Sequence, residues 1–169
     1  MIEPVAKPAR EIWVWGAGHV GRAIVDVLEP MPDLKIRWAD SARERFPEDI
    51  PASVDELIAE NPADLVSLAP AHAEHLVLTY SHALDLEICH RVLGRSFRRL
   101  GLIGSATKRA RFRSRLKALG HTEALINRMD CPIGDPSLGK HPQMIAVGVA
   151  AEVIKAVAGE ERDEQRTAS

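Results

Sequence analysis

The chain has few cysteines and few aromatic residues, and it contains no long apolar run. Two cysteines among 169 residues, Cys89 and Cys131, cannot form a disulfide framework, and we expect both to stay reduced. No apolar stretch approaches the roughly 20 residues that a membrane-spanning helix needs. The N-terminal residues lack the basic start and apolar stretch of a signal peptide, so the sequence predicts a cytoplasmic protein without a membrane partner.

Charge is distributed unevenly along the chain. Residues 91–117 contain ten lysines and arginines and no acid, whereas the rest has 12 basic and 24 acidic residues. A basic block on an acidic body is typical of a focused anion site, and equally of a solvated helix face. We expect no nucleic-acid partner, because aromatic residues make up only 4% of the chain and few of them interleave with the cations.

Hydrophobic patterning predicts a single α/β domain with a charged tail. Residues 1–10 hold two prolines and little pattern, which indicates a flexible lead-in; residues 11–158 form the domain, and residues 159–169 are expected to fray. Apolar runs of strand length alternate with segments of helical period, which favours a Rossmann-like, doubly wound fold with a mostly parallel sheet and helices on both faces. Strands are predicted at residues 11–15, 34–39, 64–68, 75–79 and 99–103, and helices at 18–29, 54–60, 83–93, 105–119, 122–127 and 142–158.

The most informative segment is a glycine-rich turn between the first strand and the first helix. The apolar run that ends at Trp15 enters G-x-G-x-x-G, with glycines at 16, 18 and 21 and His19 within the turn. In such turns the first glycine allows a tight bend, the second lets backbone approach a phosphate, and the third lets helix and strand pack closely. Asp40 follows Gly16 by 24 residues and is expected to bond a ribose hydroxyl. The alternative is a sharp βαβ turn without a ligand.

Polar residues also follow two later strands, at the edge where ligands bind in parallel sheets. One group is Ser81, His82 and Asp85; the other is Gly104, Ser105, Lys108 and Arg109. The second group is typical of an anion site, since cations and hydroxyls lie at a helix N-terminus. A hydrolase is disfavoured for the first group because no G-x-S-x-G elbow occurs and the acid and histidine can simply serve the start of their helix.

Cys131 and the histidines are candidate metal ligands. Cys131 lies in a loop that contains proline and glycine, and two interpretations stay open: a reactive or soft-metal ligand, and a small buried hydrophobic residue. His72 and His75 are three residues apart, but no second pair follows at zinc-finger spacing, so no metal site and no catalytic residue is predicted.

Six motifs, in order over residues 12–155, resemble the C-terminal domain of the xanthine dehydrogenase accessory protein family (XdhC/CoxI). They are W-G-A-G-H-V-G-R, W-x-D-S-x-x-x-x-F-P, T-x-S-H-x-L-D, G-L-I-G-S-x-x-K, C-P-I-G and G-K-x-P, beginning at residues 15, 38, 79, 101, 131 and 139. The chain departs from the family pattern at Tyr80, where a histidine is common. The separate N-terminal domain with a Ser-Gly-Gly-Cys stretch has no counterpart, so we expect a split-gene product, a truncated chain or a shorter relative.

The resemblance implies a Rossmann-like domain that binds molybdenum cofactor, as molybdopterin or its cytosine dinucleotide, and assists its insertion into a xanthine dehydrogenase-type molybdenum hydroxylase. That enzyme would be one partner, a cysteine desulfurase a second, and the apolar final helix is compatible with a homodimer. The candidate cofactor-binding residues are Gly16, Gly18, His19, Gly21, Asp40, Ser81, His82, Asp85, Gly104, Ser105, Lys108, Arg109 and Cys131.

Two other function classes stay open at this point. One is an NAD(P)-dependent oxidoreductase, in which Arg43 just past Asp40 would contact a 2′-phosphate. The other is a nucleotide-sensing regulatory module that binds without chemistry.

Overall fold

The computed structural model describes residues 9–168, except for the side chains of residues 157–161 and 164. This part of the chain contains six strands and five α-helices. The strands are β1 (Arg10–Trp15), β2 (Leu34–Asp40), β3 (Val54–Ile58), β4 (Glu74–Val77), β5 (Arg99–Leu102) and β6 (Met129–Asp130). The helices are α1 (His19–Leu28), α2 (His82–Leu93), α3 (Ala106–Ala118), α4 (Glu123–Ile126) and α5 (Pro142–Thr167).

All six strands lie in one sheet, in the order β3-β2-β1-β4-β5-β6, and all five pairings are parallel. The order reverses between β1 and β4, so this is the switch point at which doubly wound sheets open a crevice at their carboxyl edge. The predicted Rossmann-like α/β fold is therefore confirmed.

Alternate residues of β1 enter two separate cores. Trp13 and Trp15 face a core shared with α2 and α3, while Ile12 and Val14 face a core shared with α1 and α5. Successive side chains of a strand point to opposite faces, so a strand buried on both sides is apolar throughout. Helices thus cover both faces of the sheet and leave its carboxyl edge for the turns.

Two predicted elements are wrong in type. Residues 54–60, predicted as a helix, contain strand β3, because Val54 is buried beside β2 and Asp55 forms ion pairs with Lys35 (3.2 Å) and Arg37 (3.0 Å) of that strand. Short segments of this kind are decided by cross-strand neighbours, not by their own period.

Residues 64–68, predicted as a strand, belong to the 3-10 helix Pro62–Leu68. Asn61 caps this helix by accepting a hydrogen bond from the Ala63 amide (3.2 Å), and Pro62 occupies a first-turn position where no donor is needed. Ala63 and Val66, three residues apart, are both buried, which suits a helix of three residues per turn.

The first strand and the last helix extend beyond their predicted bounds. β1 already begins at Arg10, and residues 1–8 of the predicted lead-in lie outside the described residues. Helix α5 continues to Thr167 instead of ending near residue 158, because the Glu, Gln and Arg residues of the predicted tail are good helix formers. Among residues 9–168, no helix combines the length and apolar character that crossing a bilayer requires.

Candidate functional site at the carboxyl edge of the sheet

The three glycines of the first turn have different environments. Gly16 has φ +123°, and a Cβ there would lie 2.5 Å from the Leu78 carbonyl oxygen. A Cβ on Gly21 would lie 2.1 Å from the Gly16 carbonyl oxygen, whereas a Cβ on Gly18 would meet nothing within 4 Å. Gly16 and Gly21 are thus required by the turn itself, and Gly18 borders open space. This is the geometry expected of a phosphate turn.

The N-terminus of α1 opens into the same space. Gly18 is the N-cap residue, so no side chain caps the helix, and its first turn contains no acid. His19, the first residue of the helix, is exposed. Uncapped backbone N–H groups and the positive end of the helix dipole make such a terminus attractive to an anion.

Asp40 is fully buried and its carboxylate is already engaged. One oxygen accepts a hydrogen bond from the Ala17 amide (2.8 Å), and the other accepts from the Ser41 amide (2.6 Å) and lies 2.9 Å from Arg45 Nε. Asp40 therefore supports the glycine turn from within. The ribose-binding role stays a prediction, and it requires the carboxylate to exchange one of these partners.

Residues that the sequence did not single out hold the turn in place. The Trp38 indole donates to the Gly16 carbonyl (2.8 Å). Arg22 donates from Nε to the Ala17 carbonyl (3.1 Å) and from a terminal nitrogen to the Arg45 carbonyl (2.9 Å). The signal for Arg22 was present, because it is the last residue of the W-G-A-G-H-V-G-R motif.

The ends of β4 and β5 are joined by a buried ion pair. Lys108 Nζ lies 2.8 Å from an Asp85 oxygen and donates to the Ile103 carbonyl (2.9 Å), and its side chain is only 11% exposed. The other Asp85 oxygen accepts from the amide (2.8 Å) and hydroxyl (2.7 Å) of Thr79. Asp85 and Lys108 therefore position these turns, and Lys108 is not a free cation that awaits a ligand.

The predicted polar group of the β4 turn separates into two roles. Ser81 caps α2, accepting a hydrogen bond from the Leu84 amide (3.2 Å), as its position at the helix start suggested. His82 is exposed, while the hydrogen bonds of Asp85 go to Thr79 and Lys108. Serine, histidine and acid thus serve three different purposes, which argues against a nucleophilic triad.

The turn after β5 resembles a smaller second anion site. Ser105 caps α3 through the Lys108 amide (3.2 Å), so one N–H of this helix is already satisfied. Gly104 lies against the Lys108 side chain, since a Cβ there would be 2.5 Å from its Cδ. Arg109 is exposed in the first turn of α3. Arg109 therefore provides an accessible positive charge near the glycine turn that follows β5.

Cys131 lies in the loop that follows β6, and it is buried (7% exposed). Burial raises the pKa of its thiol, although the positive charges of Lys108 and Arg109 act in the opposite direction. Cys131 and Arg109 line a polar groove of about 460 Å³. Two residues later, the backbone amide of Ile133 donates a hydrogen bond to the Leu102 carbonyl (3.1 Å), which brings this loop to the end of β5.

The two histidines three residues apart, His72 and His75, do not lie together at a metal site. His75 is buried, its Nδ1 accepts a hydrogen bond from the Trp15 indole (3.1 Å), and burial together with the positive charge of Arg95 lowers its pKa to about 3. His72 is exposed in the loop that precedes β4. Within residues 9–168, no three His, Cys, Asp or Glu side chains lie close enough together to hold a metal ion.

Comparison with known proteins agrees with the family resemblance. The family model described as the XdhC Rossmann domain matches residues 12–153. The chain belongs to this XdhC family. The resemblance stated from the six motifs is thereby confirmed.

Individual relatives are longer than this chain. It is 32% identical over 141 residues to the uncharacterized protein YqeB of Escherichia coli K12, which covers 83% of this chain and 26% of YqeB. Among solved structures, it is similar to a xanthine dehydrogenase from Bacillus halodurans (TM-score 0.79, 20% identity, 94% of this chain and 47% of that one). It is also similar to the E. coli tRNA N6-threonylcarbamoyladenosine dehydratase TcdA (TM-score 0.52, 15% identity, 90% and 88% covered). The XdhC chain thus spans about a quarter to a half of YqeB and the B. halodurans protein, and the two structural matches show the fold.

Proposed function

We propose that this XdhC domain binds molybdenum cofactor as cargo and assists its insertion into a molybdenum hydroxylase of the xanthine dehydrogenase type. Membership in the XdhC family supports an accessory role in general. The observation that carries the binding role is the open space at Gly18, beside two glycines whose positions are filled by the protein itself. A turn that served only to connect strand and helix would not need a glycine at that position.

The chemistry of the cofactor fits the residues around this space. Molybdopterin is an anionic pterin that carries a phosphate and a dithiolene. The uncapped N-terminus of α1 would hold the phosphate through backbone N–H groups, without a side chain in the way. When bound, the cofactor supplies the redox chemistry of the enzyme that receives it, and this domain supplies binding and protection.

Exposed polar residues around the turn would contact the remainder of the cargo. His19, His82, Ser105 and Arg109 are all exposed near the adjoining ends of β1, β4 and β5. Arg109 would neutralise part of the charge of the cofactor, while the Asp85–Lys108 pair keeps the turns in place. Exposed contacts of this kind suit a protein that must release its cargo.

The proposal includes the partners expected from the family resemblance. A molybdenum hydroxylase would receive the cofactor, and a cysteine desulfurase would supply sulfur, in the cytoplasm. On the outward side of α5, the exposed fractions of Met144, Val147 and Ile154 are 46%, 49% and 49%. Their spacing along one helix face supports a homodimer, which light scattering after size exclusion would show as twice the chain mass.

The residue expected to serve an NAD(P)-dependent oxidoreductase has other partners in the structure. Arg43, expected at a 2′-phosphate, donates to the carbonyls of Pro47 and Glu48 (both 2.9 Å) and lies 3.4 Å from Glu56. Its guanidinium is therefore occupied by its own loop.

A transfer assay tests the proposed function. The purified chain is loaded anaerobically with molybdenum cofactor, desalted, and added to a cofactor-free xanthine dehydrogenase, whose activity is then followed. We expect more activity than with the same amount of free cofactor, and no such gain with the Gly18→Val variant. Equal activity with and without the chain would refute the accessory role in insertion.

A further inference from the structure

The loop that follows β2 is fastened over the glycine turn. Arg22 bonds the carbonyls of both Ala17 and Arg45, so one side chain ties the turn to the loop. Phe46, the residue after Arg45, is buried edge-on against Trp38, with ring centroids 5.1 Å apart. Two independent contacts therefore hold this loop at the place where β1 and β2 end.

From this loop, the Arg45 side chain reaches over the end of β1. Its Nε lies 2.9 Å from Asp40 at the end of β2, and its guanidinium carbon lies 4.0 Å from the ring centroid of Tyr80, beyond the end of β4. Since β1 lies between β2 and β4, the Arg45–Tyr80 contact crosses above the glycine turn. A guanidinium stacked on an aromatic ring is an attractive arrangement, so the contact favours a closed position.

This contact closes the place that a dinucleotide would need. In dinucleotide-binding Rossmann domains, the carboxylate at the end of the second strand accepts the ribose hydroxyls. The corresponding Asp40 has no exposed surface; its oxygens accept hydrogen bonds from the Ala17 and Ser41 amides, and one of them forms an ion pair with Arg45. A ribose could reach it only after Arg45 had moved away. By contrast, the space beside Gly18 remains open.

We propose that the Arg45–Tyr80 contact is a selectivity clasp, which admits a phosphate at Gly18 and excludes the ribose of a dinucleotide. The inference rests on the proposed function and specifies its ligand class: a compact phosphate-bearing ring compound, such as molybdopterin without an attached nucleotide. Tyr80 is the residue at which this chain departs from the histidine common in the family. Arg45 and Tyr80 therefore determine ligand choice without taking part in any reaction.

Calorimetric titration of ADP-ribose and of inorganic pyrophosphate tests the clasp. The proteins compared are the wild type, Arg45→Ala, Tyr80→Ala and the double variant. Arg128→Ala is the matched control, because Arg128 also stacks 4.0 Å from an aromatic ring, that of Phe97, but lies beyond α4. Tyr80 is 63% exposed, so its replacement leaves the core intact even if Arg45→Ala lowers stability.

We expect the double variant to bind ADP-ribose at least about tenfold more tightly than the wild type, because the competent open form is no longer rare. Pyrophosphate affinity stays the same in all of them, and Arg128→Ala behaves as the wild type. Tight ADP-ribose binding by the wild type would overturn the clasp, as would folded variants that bind pyrophosphate but gain nothing for ADP-ribose. Absence of pyrophosphate binding throughout would overturn the phosphate site on which it depends. The transfer assay tests the proposed function and the ADP-ribose titration tests the clasp. Failure of cofactor transfer would therefore not change the result of the ADP-ribose titration, and the two proposals can fail separately.

Discussion

Asp85 and Lys108 form an ion pair of 2.8 Å in which the two side chains are only 1% and 11% exposed. The pair connects the start of α2 to the first turn of α3, and through Thr79 and Ile103 it reaches the ends of β4 and β5. Its two members are 23 residues apart in sequence. The carboxyl edge of the sheet is therefore held by charge as well as by packing.

Removal of Lys108 should destabilise the protein strongly. Lys108→Met leaves a buried carboxylate without its cation, which costs on the order of 3–5 kcal/mol of unfolding free energy. Urea denaturation measures this loss of unfolding free energy. The double variant Asp85→Asn with Lys108→Met should recover a large part of the lost stability, because it contains no unpaired buried charge. Lys117→Ala is the control: Lys117 pairs with Glu123 at the surface (67% and 69% exposed), and its loss should cost less than about 1 kcal/mol. Equal losses in both single variants would contradict the structural role.

The glycines of the first turn should respond differently to substitution. Gly21→Ala places a methyl group 2.1 Å from the Gly16 carbonyl oxygen, so a clear fall in thermal midpoint is expected. Gly18→Ala enters open space and should leave the midpoint nearly unchanged, while ligand binding weakens. Thermal unfolding followed by circular dichroism makes the comparison. A lower thermal midpoint for Gly18→Ala would mean that the fold requires Gly18, and that this glycine is not there to leave space for a ligand.

The buried His75 should make the fold sensitive to acid. Its folded pKa of about 3 lies below the unfolded value of 6.5, so between these pH values the unfolded chain binds the extra proton. Stability from this group is therefore complete above pH 6.5 and falls as pH drops toward 3, by up to about 1.4 kcal/mol per pH unit. Unfolding free energies measured across this range should show the slope. His75→Gln should flatten it and the exposed His72→Gln should not; a slope unaffected by His75→Gln would contradict the assignment.

The two thiols should react slowly and in a fixed order. Burial raises the pKa of Cys131 and of Cys89, so little thiolate is present at neutral pH. Cys131 borders the polar groove, whereas Cys89 has no exposed surface. Titration with a chromogenic disulfide at pH 7.5 should modify Cys131 first, at least about tenfold more slowly than in the unfolded chain. Fast reaction of the native protein, absent in Cys131→Ser, would instead identify a reactive cysteine.

The first βαβ unit could be predicted from the sequence because its signals are local. Fewer than twenty residues contain an apolar strand, three glycines at fixed spacing and a helix with apolar period. Each position favours glycine because a side chain there would clash with the turn or block a ligand. The structure places Gly16 and Gly21 against backbone and leaves Gly18 open, as the motif suggested.

What the sequence could not provide is the partner of each charged residue. Lys108 was predicted to meet a ligand because it lies with hydroxyl groups at a helix N-terminus, but its partner Asp85 comes from another helix. Arg43 was predicted to contact a ligand because it lies just past Asp40, but the folded loop brings Arg45 to that carboxylate and turns Arg43 toward the Pro47 carbonyl. The strand at residues 54–58 was missed for a related reason, since its pairing with β2 is not visible in its own period.

Retention of pterin by the purified chain tests the central claim most directly. The protein is incubated anaerobically with molybdenum cofactor, desalted, oxidised and assayed for pterin fluorescence. The same assay is run with NADH added as a competing ligand, and with the Gly18→Val and Arg109→Ala variants. The account predicts retained pterin in the wild type, loss in Gly18→Val, weaker retention in Arg109→Ala and no displacement by NADH. Retention of NADH without pterin would contradict it, and would mean that the glycine turn binds a dinucleotide.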